Sequence, residues 1–459
     1  MMGFALLTLV AACSPTPPPL ADASTTEVVP TDQPDFEAGK VIDSIPCGQV
    51  DGHTYALYLP QHYTRNKTWP VVYVFDAHGR GRLPLAAYRS LADRYGYVLI
   101  GSNVSRNGLP WSATLQHIYQ LMAAGQKNVR LDREQTYAMG FSGGARVAVA
   151  AALATKQFQG VIGCGAGFPS GQQPEVATFH YFGLVGNRDF NYPELRQFEQ
   201  VLAQKGFVHH LQVFDGEHAW PETRDMHAAM QWLELHAYKT HRREYIEDTV
   251  QAWWSRHRQA IDLAHNRPVE QYQHLQHGIR AFDQLLDLEP EKSALATLEK
   301  SVALAKARQA EQVLISTELN VNQSYAAKLQ AMDPAWWNQE MNRLDDGIRA
   351  ASTAAMRHSY QRNRAYVSLV AYMFAEKALK TNRLEDLPAY LDLYQRADPE
   401  NPYHAYFRAR LLMRQQRNDE ALQALQEAAE LGFEDWVVLE SEPDFNALRS
   451  TPGFQTLKG

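Results

Sequence analysis

The sequence predicts an α/β three-layer sandwich followed by an all-α region. From about residue 40 to about residue 239, strand-like and helix-like segments alternate, which is the pattern of a mostly parallel sheet covered by helices on both faces. The strand-like runs, such as residues 71–75, are apolar throughout, as expected of strands that are buried on both faces. Beyond about residue 240 the strand signals stop, and Leu, Ala, Gln, Glu and Arg prevail.

Seven strand-like runs and five helix-like stretches make up the predicted sandwich. The strand-like runs cover residues 54–59, 71–75, 98–102, 136–139, 160–164, 180–185 and 208–214. The helix-like stretches cover residues 84–95, 113–126, 143–155, 193–205 and 223–238. This regular alternation favours a single α/β domain over residues 40–239.

Composition and charge exclude several classes of protein. Apolar residues make up 45% of the 459 residues and charged residues 21%, so the chain can bury a core and is not largely disordered. The 44 basic and 51 acidic residues give a net charge of −7 without a long basic block, which argues against nucleic acid and anionic lipid headgroups as partners. Three cysteines cannot build a disulfide framework, and no metal or cofactor motif is present, so none is expected.

The first segment resembles the signal peptide of a bacterial lipoprotein. Residues 4–12 form an apolar run that is too short to span a membrane and that ends at Cys13. In lipoproteins such a cysteine becomes the diacylated N-terminus, and Ser14 behind it favours the outer membrane. The three residues at the start depart from the pattern because they include no Lys or Arg. A plain secretory signal that happens to end in Cys is the alternative.

These features predict a chain of five parts. Residues 1–12 are the signal peptide, and residues 13–39, rich in Pro, Thr, Ser and Asp, form a flexible tether. The predicted location is the periplasm or the cell surface, with the lipid on Cys13 as the sole membrane attachment. The α/β domain, a helical region, and repeat-like helices with a cap follow as residues 40–239, 240–360 and 361–459.

The strongest chemical signal is a GxSxG sequence inside the α/β part. Ser142 stands between Gly140 and Gly144, directly after a predicted strand and directly before a predicted helix. In a nucleophile elbow the serine takes a strained, positive-φ conformation, so the residues two positions away must be small. The turn also brings the hydroxyl to the positive end of a helix and leaves the N–H of Gly143 free to bind an oxyanion. Ser142 is therefore the predicted nucleophile and Gly143 an oxyanion donor.

Asp189 and His218 are the predicted partners of Ser142. They follow it in the order acid, then histidine, and each lies in a loop after a strand-like run. The alternatives are a helix-capping role for Asp189 and an ordinary solvated position for His218. Asp215 is a weaker rival acid, because it shares a loop with the histidine. Competing histidines inside predicted strands or helices are His209, His210 and His227.

The loop after residues 71–75 resembles the HGxG loop of esterases that have no lid domain. In such loops the residue after His-Gly donates its backbone N–H to the oxyanion, which here gives Arg80. The extra Asp76-Ala77 ahead of His78 leaves the register open by a residue or two. His78 itself is expected to have a structural role.

Together these residues carry a resemblance to the α/β-hydrolase superfamily over residues 40–239. The chain is similar to secreted esterases without a lid, in the neighbourhood of dienelactone hydrolase, polyhydroxybutyrate depolymerase and feruloyl esterase. The resemblance implies hydrolysis of carboxylic esters by Ser142, His218 and Asp189 through an acyl-enzyme, without a cofactor. A peptidase similar to the prolyl oligopeptidase group is the alternative enzyme.

Aromatic and amide side chains in loops near Ser142 predict the substrate pocket. They suit an aryl or carbohydrate-linked ester better than a bare long acyl chain, although each aromatic could equally pack at the rim. Arg80, Arg106 and Arg188 could bind a carboxylate on the substrate, with solvent-facing positions as the alternative. The predicted pocket residues are Asn107, Trp111, Phe190, Tyr192 and Trp220.

The second half of the chain resembles tetratricopeptide repeats over residues 366–432. A shift of about 34 residues aligns small and apolar positions of one helix pair with those of the next. Such repeats bind peptides or protein partners on concave surfaces; the alternative is a shield that stiffens the α/β part and walls its cleft. A scaffold whose hydrolase fold has lost catalysis is the alternative for the whole chain. The aligned positions are Ala371, Ala375, Leu387 and Leu391 with Ala405, Ala409, Ala421 and Leu425.

Overall fold

An eight-stranded sheet forms the N-terminal half of the described chain. The computed structural model describes residues 34–48, 52–169 and 178–457. The predicted signal peptide, the lipidation site Cys13 and most of the tether lie outside the described residues. The strands are β1 (Val41–Pro46), β2 (Thr54–Tyr58), β3 (Trp69–Phe75), β4 (Val98–Ser102), β5 (Leu131–Phe141), β6 (Gly160–Cys164), β7 (His180–Gly186) and β8 (His209–Phe214).

The strand order explains why distant residues meet at one edge of the sheet. The order is β1-β2-β4-β3-β5-β6-β7-β8. The strands from β3 to β8 are parallel, whereas β2 pairs antiparallel with both β1 and β4. The carboxyl ends of β3, β5, β7 and β8 therefore lie at the same edge, where the predicted site residues follow them. The predicted α/β three-layer sandwich with a mostly parallel sheet is confirmed.

Helices cover both faces of the sheet. Successive residues of a strand point to opposite faces. Val72 therefore packs in the cluster that contains α1 (Arg82–Tyr95) and α5 (Thr223–Lys239), whereas Val71 packs in the cluster that contains α2 (Trp111–Asn128) and α3 (Gly143–Thr155). Trp232 of α5 is fully buried in the first cluster, and Ile118 of α2 is buried in the second. The helices of this part are α1 (Arg82–Tyr95), α2 (Trp111–Asn128), α3 (Gly143–Thr155), α4 (Tyr192–Gln204) and α5 (Thr223–Lys239).

The first strand, β1, is one that the sequence pattern does not predict. Its apolar residues are interrupted by Asp43 and Ser44. The pairing with β2 shifts register between Ile42 and Ile45, and Ser44 has a φ of 57°. A bulge of this kind breaks the alternation of apolar and polar residues that identifies a half-buried edge strand. The seven predicted strand-like runs correspond to β2–β8.

The rest of the described chain is helical, as predicted. Residues 36–459 form one compact unit that contains both the sheet and these helices, and a second unit, Met1–Asp35, falls almost wholly outside the described residues. Among the described helices, none is long and apolar enough to cross a bilayer. The helices are α6 (Glu247–Leu263), α7 (Pro268–Phe282), α8 (Glu289–Glu299), α9 (Val302–Ala331), α10 (Pro334–Ala350), α11 (Ala354–Lys380), α12 (Leu387–Ala397), α13 (Tyr403–Arg414), α14 (Asn418–Glu430), α15 (Trp436–Ser441) and α16 (Pro452–Thr456).

The small residues of the predicted repeats are buried between helices. Ala371 on α11, Ala405 on α13 and Ala421 on α14 are all fully buried. α11 packs against α12, and α13 packs against α14. However, α9 has 30 residues and α11 has 27, so the region departs from an array of short, equal helices. Membership of the tetratricopeptide-repeat family stays a prediction.

A cluster of one buried and two half-buried histidines joins the edge of the sheet to the helical region. The rings of His210 on β8 and His277 on α7 have centroids 3.9 Å apart, and His257 on α6 lies 5.0 Å from His277. Burial lowers the pKa of each ring, to about 4 for His257, and the charge of Arg280 further lowers the pKa of His210 and of His277. The rings line a cavity of about 840 Å³. Within the part of the chain that the structure describes, no three His, Cys, Asp or Glu side chains are arranged to hold a metal ion.

Acid is expected to destabilise the fold through this histidine cluster. An unfolded histidine has a pKa of about 6.5, so below that pH the unfolded chain binds protons that the folded chain does not. The free energy of unfolding should therefore fall as the pH decreases from about 7.5 to about 5.5, by up to about 1.4 kcal/mol per pH unit for each histidine of the cluster. Urea denaturation at several pH values measures this slope.

The variant His277→Phe keeps an aromatic ring and removes one titrating group, so its slope should be smaller. His265→Gln, which changes an exposed histidine at the end of α6, is the control and should keep the slope of the natural protein. An unchanged slope in His277→Phe would contradict the assignment.

Candidate active site

The turn between β5 and α3 holds Ser142 in a strained backbone conformation. Its φ is 54° and its ψ is −121°, a region that residues with a side chain rarely occupy. A Cβ atom on Gly140 would lie 2.1 Å from the carbonyl oxygen of Gly144, and one on Gly144 would lie 2.0 Å from the carbonyl oxygen of Phe75. Both positions therefore require glycine, which is why the sequence reads GxSxG around this serine.

Two hydrogen bonds connect the three residues that the sequence predicts as catalytic. The Oγ of Ser142 lies 2.9 Å from Nε2 of His218. The Nδ1 of His218 lies 2.9 Å from both carboxylate oxygens of Asp189. Because a carboxylate can only accept, a neutral imidazole here donates a hydrogen bond from Nδ1 to Asp189 and accepts one at Nε2 from the hydroxyl of Ser142. The structure thus brings Ser142, His218 and Asp189 together from three different loops.

Packing fixes the ring of His218 and the carboxylate of Asp189. The ring packs against Phe190 and Phe141, with centroid distances of 4.1 Å and 4.7 Å. Asp189 is 1% exposed, and the backbone N–H of Asn191 donates to it at 2.8 Å. An imidazole packed against two aromatic rings keeps the orientation that both of its hydrogen bonds require.

The rival residues lie elsewhere. Asp215 is exposed and accepts hydrogen bonds from Arg188 and Asn187 instead of His218. His209 and His210 belong to β8. His227, on α5, pairs with the hydroxyl of Tyr95. The geometry therefore favours Asp189 and His218 over all of these alternatives.

The N–H of Gly143 opens helix α3 next to Ser142. It has no acceptor among the described residues, as expected of a group in the first turn of a helix. Asn107, a predicted pocket residue, lies beside it: a Cβ atom on Gly143 would lie 1.7 Å from Oδ1 of Asn107. The backbone N–H of Asn107 donates to the carbonyl oxygen of Ala77 at 2.8 Å. Asn107 thus connects the elbow with the loop that follows β3.

The predicted oxyanion donor Arg80 is engaged in another contact. Its backbone N–H faces Oδ1 of Asp76 at 3.4 Å, and its side chain donates to both carboxylate oxygens of Asp76 at 2.9 Å and 3.2 Å. The structure therefore does not support Arg80 as the second oxyanion donor. Asp76 stands two positions before His78, the first residue of the HGxG-like stretch, and its contact with Arg80 turns the loop back on itself. The spacing of these residues in the sequence does not show this contact.

Asp76 connects the loop after β3 with the loop that carries His218. It is fully buried and also accepts hydrogen bonds at 2.9 Å from the indole N–H of Trp220 and from the backbone N–H of His78. Burial alone would raise the pKa of Asp76, but its hydrogen bonds and the charge of Arg80 outweigh burial and hold the pKa below its usual value. Asp76 is therefore a carboxylate that orders two loops of the site, and sequence analysis did not single it out.

Two of the predicted pocket residues have other roles in the structure. The ring of Trp220 packs on Phe141, 5.5 Å between centroids, and its N–H is bound to Asp76. The hydroxyl of Tyr192 donates to Glu311 on α9, so this side chain faces the helical region. Phe190 covers His218, and Trp111 is 38% exposed at the start of α2. The polar atoms of Trp220 and Tyr192 thus have partners within the protein, and pocket lining by these two residues stays a prediction.

Comparison with known proteins gives structural matches alone. No protein-family model and no curated protein matches the sequence. Among solved structures, the fluorophosphonate-binding serine hydrolase F of Staphylococcus aureus is 12% identical, with a TM-score of 0.35, covering 43% of this chain and 98% of that chain. A ferulic acid esterase is 18% identical, with a TM-score of 0.34, covering 42% of this chain and 96% of that chain. Esterase B from Lactobacillus rhamnosis is 15% identical, with a TM-score of 0.37, covering 46% and 91%.

Removal of the Asp76 carboxylate should destabilise the protein. In Asp76→Ala, the indole N–H of Trp220 and the guanidinium of Arg80 lose their acceptor, and hydrogen bonds to a charged group contribute about 1.5–3 kcal/mol. The free energy of unfolding, measured by urea denaturation, should fall by about that amount. Asp346→Ala removes an exposed carboxylate that pairs with Arg349 and should leave the unfolding curve unchanged. Equal stability of Asp76→Ala and the natural protein would show that the buried carboxylate orders nothing.

Proposed function

We propose that the protein is a serine hydrolase that cleaves carboxylic esters through an acyl-enzyme. The observation that carries the proposal is the chain of contacts from Asp189 to His218 to Ser142, with 2.9 Å at each step. His218 takes the proton of the Ser142 hydroxyl as Oγ attacks the ester carbonyl carbon. The protonated imidazole, stabilised by Asp189, then gives this proton to the leaving alkoxide oxygen as the C–O bond breaks. Water, activated by the same imidazole, releases the acid.

Two backbone amides are proposed to stabilise the oxyanion. The N–H of Gly143 stands at the positive end of α3, beside the attacking oxygen. The second donor in this proposal is the N–H of Ala77, which has no acceptor in the described ranges. The end of β3 is adjacent to the elbow, since a Cβ atom on Gly144 would lie 3.1 Å from the backbone nitrogen of Asp76. Both donors are fixed before substrate binds, as electrostatic stabilisation of a transition state requires.

The strained turn favours an enzyme over a scaffold that has lost catalysis. A non-glycine residue held at a φ of 54° costs about 1–3 kcal/mol, and such strain persists where the surrounding structure enforces it. A binding scaffold gains nothing from this strain, nor from a buried carboxylate aimed at a histidine that is aimed at a serine hydroxyl. The peptidase alternative uses the same groups, so substrate preference must separate it from an esterase.

The proposed substrate is a small-molecule or carbohydrate-linked ester. The amide of Asn107 stands beside the elbow, and the indole of Trp111 is partly exposed at the start of α2. An amide and an indole suit a sugar or an aryl group, which present hydroxyls and a flat apolar face together. Phe190 adds an aromatic face next to His218.

Loss of the Ser142 hydroxyl should abolish activity. In Ser142→Ala, hydrolysis of p-nitrophenyl butyrate should fall at least about 10³-fold, and labelling by a fluorophosphonate probe should disappear. Ser316→Ala, an exposed serine on α9, is the matched control and should behave like the natural protein. A paired ester and amide of the same acyl group then distinguishes esterase from peptidase. A natural protein that neither reacts with the probe nor turns over any ester would support the scaffold alternative.

Export and lipid attachment at Cys13 complete the proposal. The support is the apolar run that ends at this cysteine, followed by a segment rich in Pro, Thr and Ser. In bacterial cells given an alkyne analogue of palmitate, the natural protein should become labelled and stay with the membranes. Cys13→Ser should be unlabelled, whereas Cys47→Ala should keep the label. Labelling of Cys13→Ser would exclude the lipoprotein signal.

A further inference from the structure

The helical region reaches the loop that carries Asp189. This acid loop, residues 187–191, lies between β7 and α4. Arg362 on α11 donates from Nη1 to the backbone carbonyl oxygen of Asn187 at 2.6 Å, across 175 residues of sequence. The acceptor stands two positions ahead of Asp189, so a side chain from the second half of the protein holds the beginning of the acid loop.

A second residue orients Arg362 for this contact. Glu318 on α9 accepts from Nε of Arg362 at 2.7 Å and from Nη2 at 2.5 Å, which occupies one edge of the guanidinium and leaves Nη1 directed at the loop. The side chains are 6% and 1% exposed. A buried ion pair adds little stability compared with apolar residues of similar size, so stability alone does not explain why charges stand here. The contact with Asn187 does explain it.

The end of the acid loop is held by the same two helices. The guanidinium of Arg362 lies 4.4 Å above the ring of Tyr192, the first residue of α4. The hydroxyl of Tyr192 donates to Glu311 on α9. Glu311 in turn accepts from Arg196 of α4 at 3.1 Å and 3.0 Å. Side chains of α9 and α11 therefore contact the acid loop on both sides of Asp189.

Within the acid loop, hydrogen bonds connect both of its ends to Asp189. The N–H of Asp189 donates to the carbonyl oxygen of Gly186 at 3.1 Å, and the N–H of Tyr192 donates to the carbonyl oxygen of Asp189 at 2.9 Å. The side-chain amide of Asn191 donates to the carbonyl oxygen of Gly165 at 2.7 Å. A shift of Asn187 or Tyr192 would therefore move the carboxylate that His218 depends on.

We propose that Arg362 is a positioning residue for the acid of the site, and that α9 and α11 are part of the catalytic unit. This inference rests on the proposed function. Arg362 acts through Asn187 on Asp189, which orients His218 toward Ser142. A displacement of about 1 Å among these three side chains can lower the rate about 100-fold, so a contact that holds the acid loop in place has a direct effect on turnover.

The test replaces the ion pair without leaving a buried charge. The double variant Arg362→Met, Glu318→Leu keeps a similar volume and should melt within about 5 °C of the natural full-length chain. Its kcat for p-nitrophenyl butyrate should fall about 10- to 100-fold, with KM changed less than about threefold. In the plot of kcat/KM against pH, the acid limb should move to lower pH, because a displaced Asp189 stabilises the protonated imidazole of His218 less. A loss of packing alone would not move that limb.

A matched pair in the same region serves as the control. Arg343 and Glu340 on α10 form an ion pair that does not involve the acid loop, and Arg343→Met, Glu340→Leu should keep kcat and the pH profile. If the first double variant does not fold, Tyr192→Phe tests the other end of the loop: it removes one hydroxyl and should lower kcat a few-fold in the same direction. Natural kcat and an unmoved pH profile in either folded variant would overturn the inference.

Hydrogen–deuterium exchange separates this inference from the proposed function. The peptide that covers residues 186–192 should exchange faster in the Arg362→Met, Glu318→Leu variant than in the natural protein, whether or not either hydrolyses an ester. If the natural protein is inactive and unlabelled by a fluorophosphonate, the proposed function is wrong, and the exchange rate still decides whether Arg362 orders the loop. Equal exchange rates of this peptide in both proteins would refute the positioning role of Arg362.

Discussion

The close approach of two backbone segments at the elbow is the constraint on which the rest of the site depends. Gly144 lies so near the carbonyl oxygen of Phe75 that no side chain fits at that position. This contact places the end of β3 against the start of α3, and it holds Ser142 in a conformation that projects its hydroxyl from the sheet edge. The hydrogen bond to His218 and the two proposed oxyanion donors are all arranged around this contact.

Two buried carboxylates then order the loops around the elbow. Asp76 joins the loop after β3 to Trp220, two residues beyond His218. Asp189 holds His218 from the loop after β7. Each carboxylate accepts hydrogen bonds from several donors, which offsets the cost of burying its charge. Asp76 and Asp189 contact different residues of the loop that carries His218. The site is thus held from both sides by electrostatic contacts that cross between loops.

The parts of the fold and site that could be predicted are those encoded in short stretches of sequence. Ser142 is marked by glycines two positions away, and the loops of Asp189 and His218 are marked by apolar strands that end directly before them. β1 escapes prediction because the bulge near Ser44 breaks its alternation. The contacts of Trp220 and Tyr192 depend on partners in another loop or helix, which no local pattern shows. The contact of Arg362 with Asn187 likewise joins distant parts of the chain, so no local pattern predicts it.

That contact has a consequence for the order in which the acid loop acquires its contacts during synthesis. A nascent chain released from the ribosome up to the end of α5 already contains Ser142, Asp189 and His218, yet it lacks the guanidinium that binds Asn187. Synthesis of α11 must therefore precede completion of the acid loop. Truncated translation products that end before α11 would carry Ser142, Asp189 and His218 without the contact between Arg362 and Asn187.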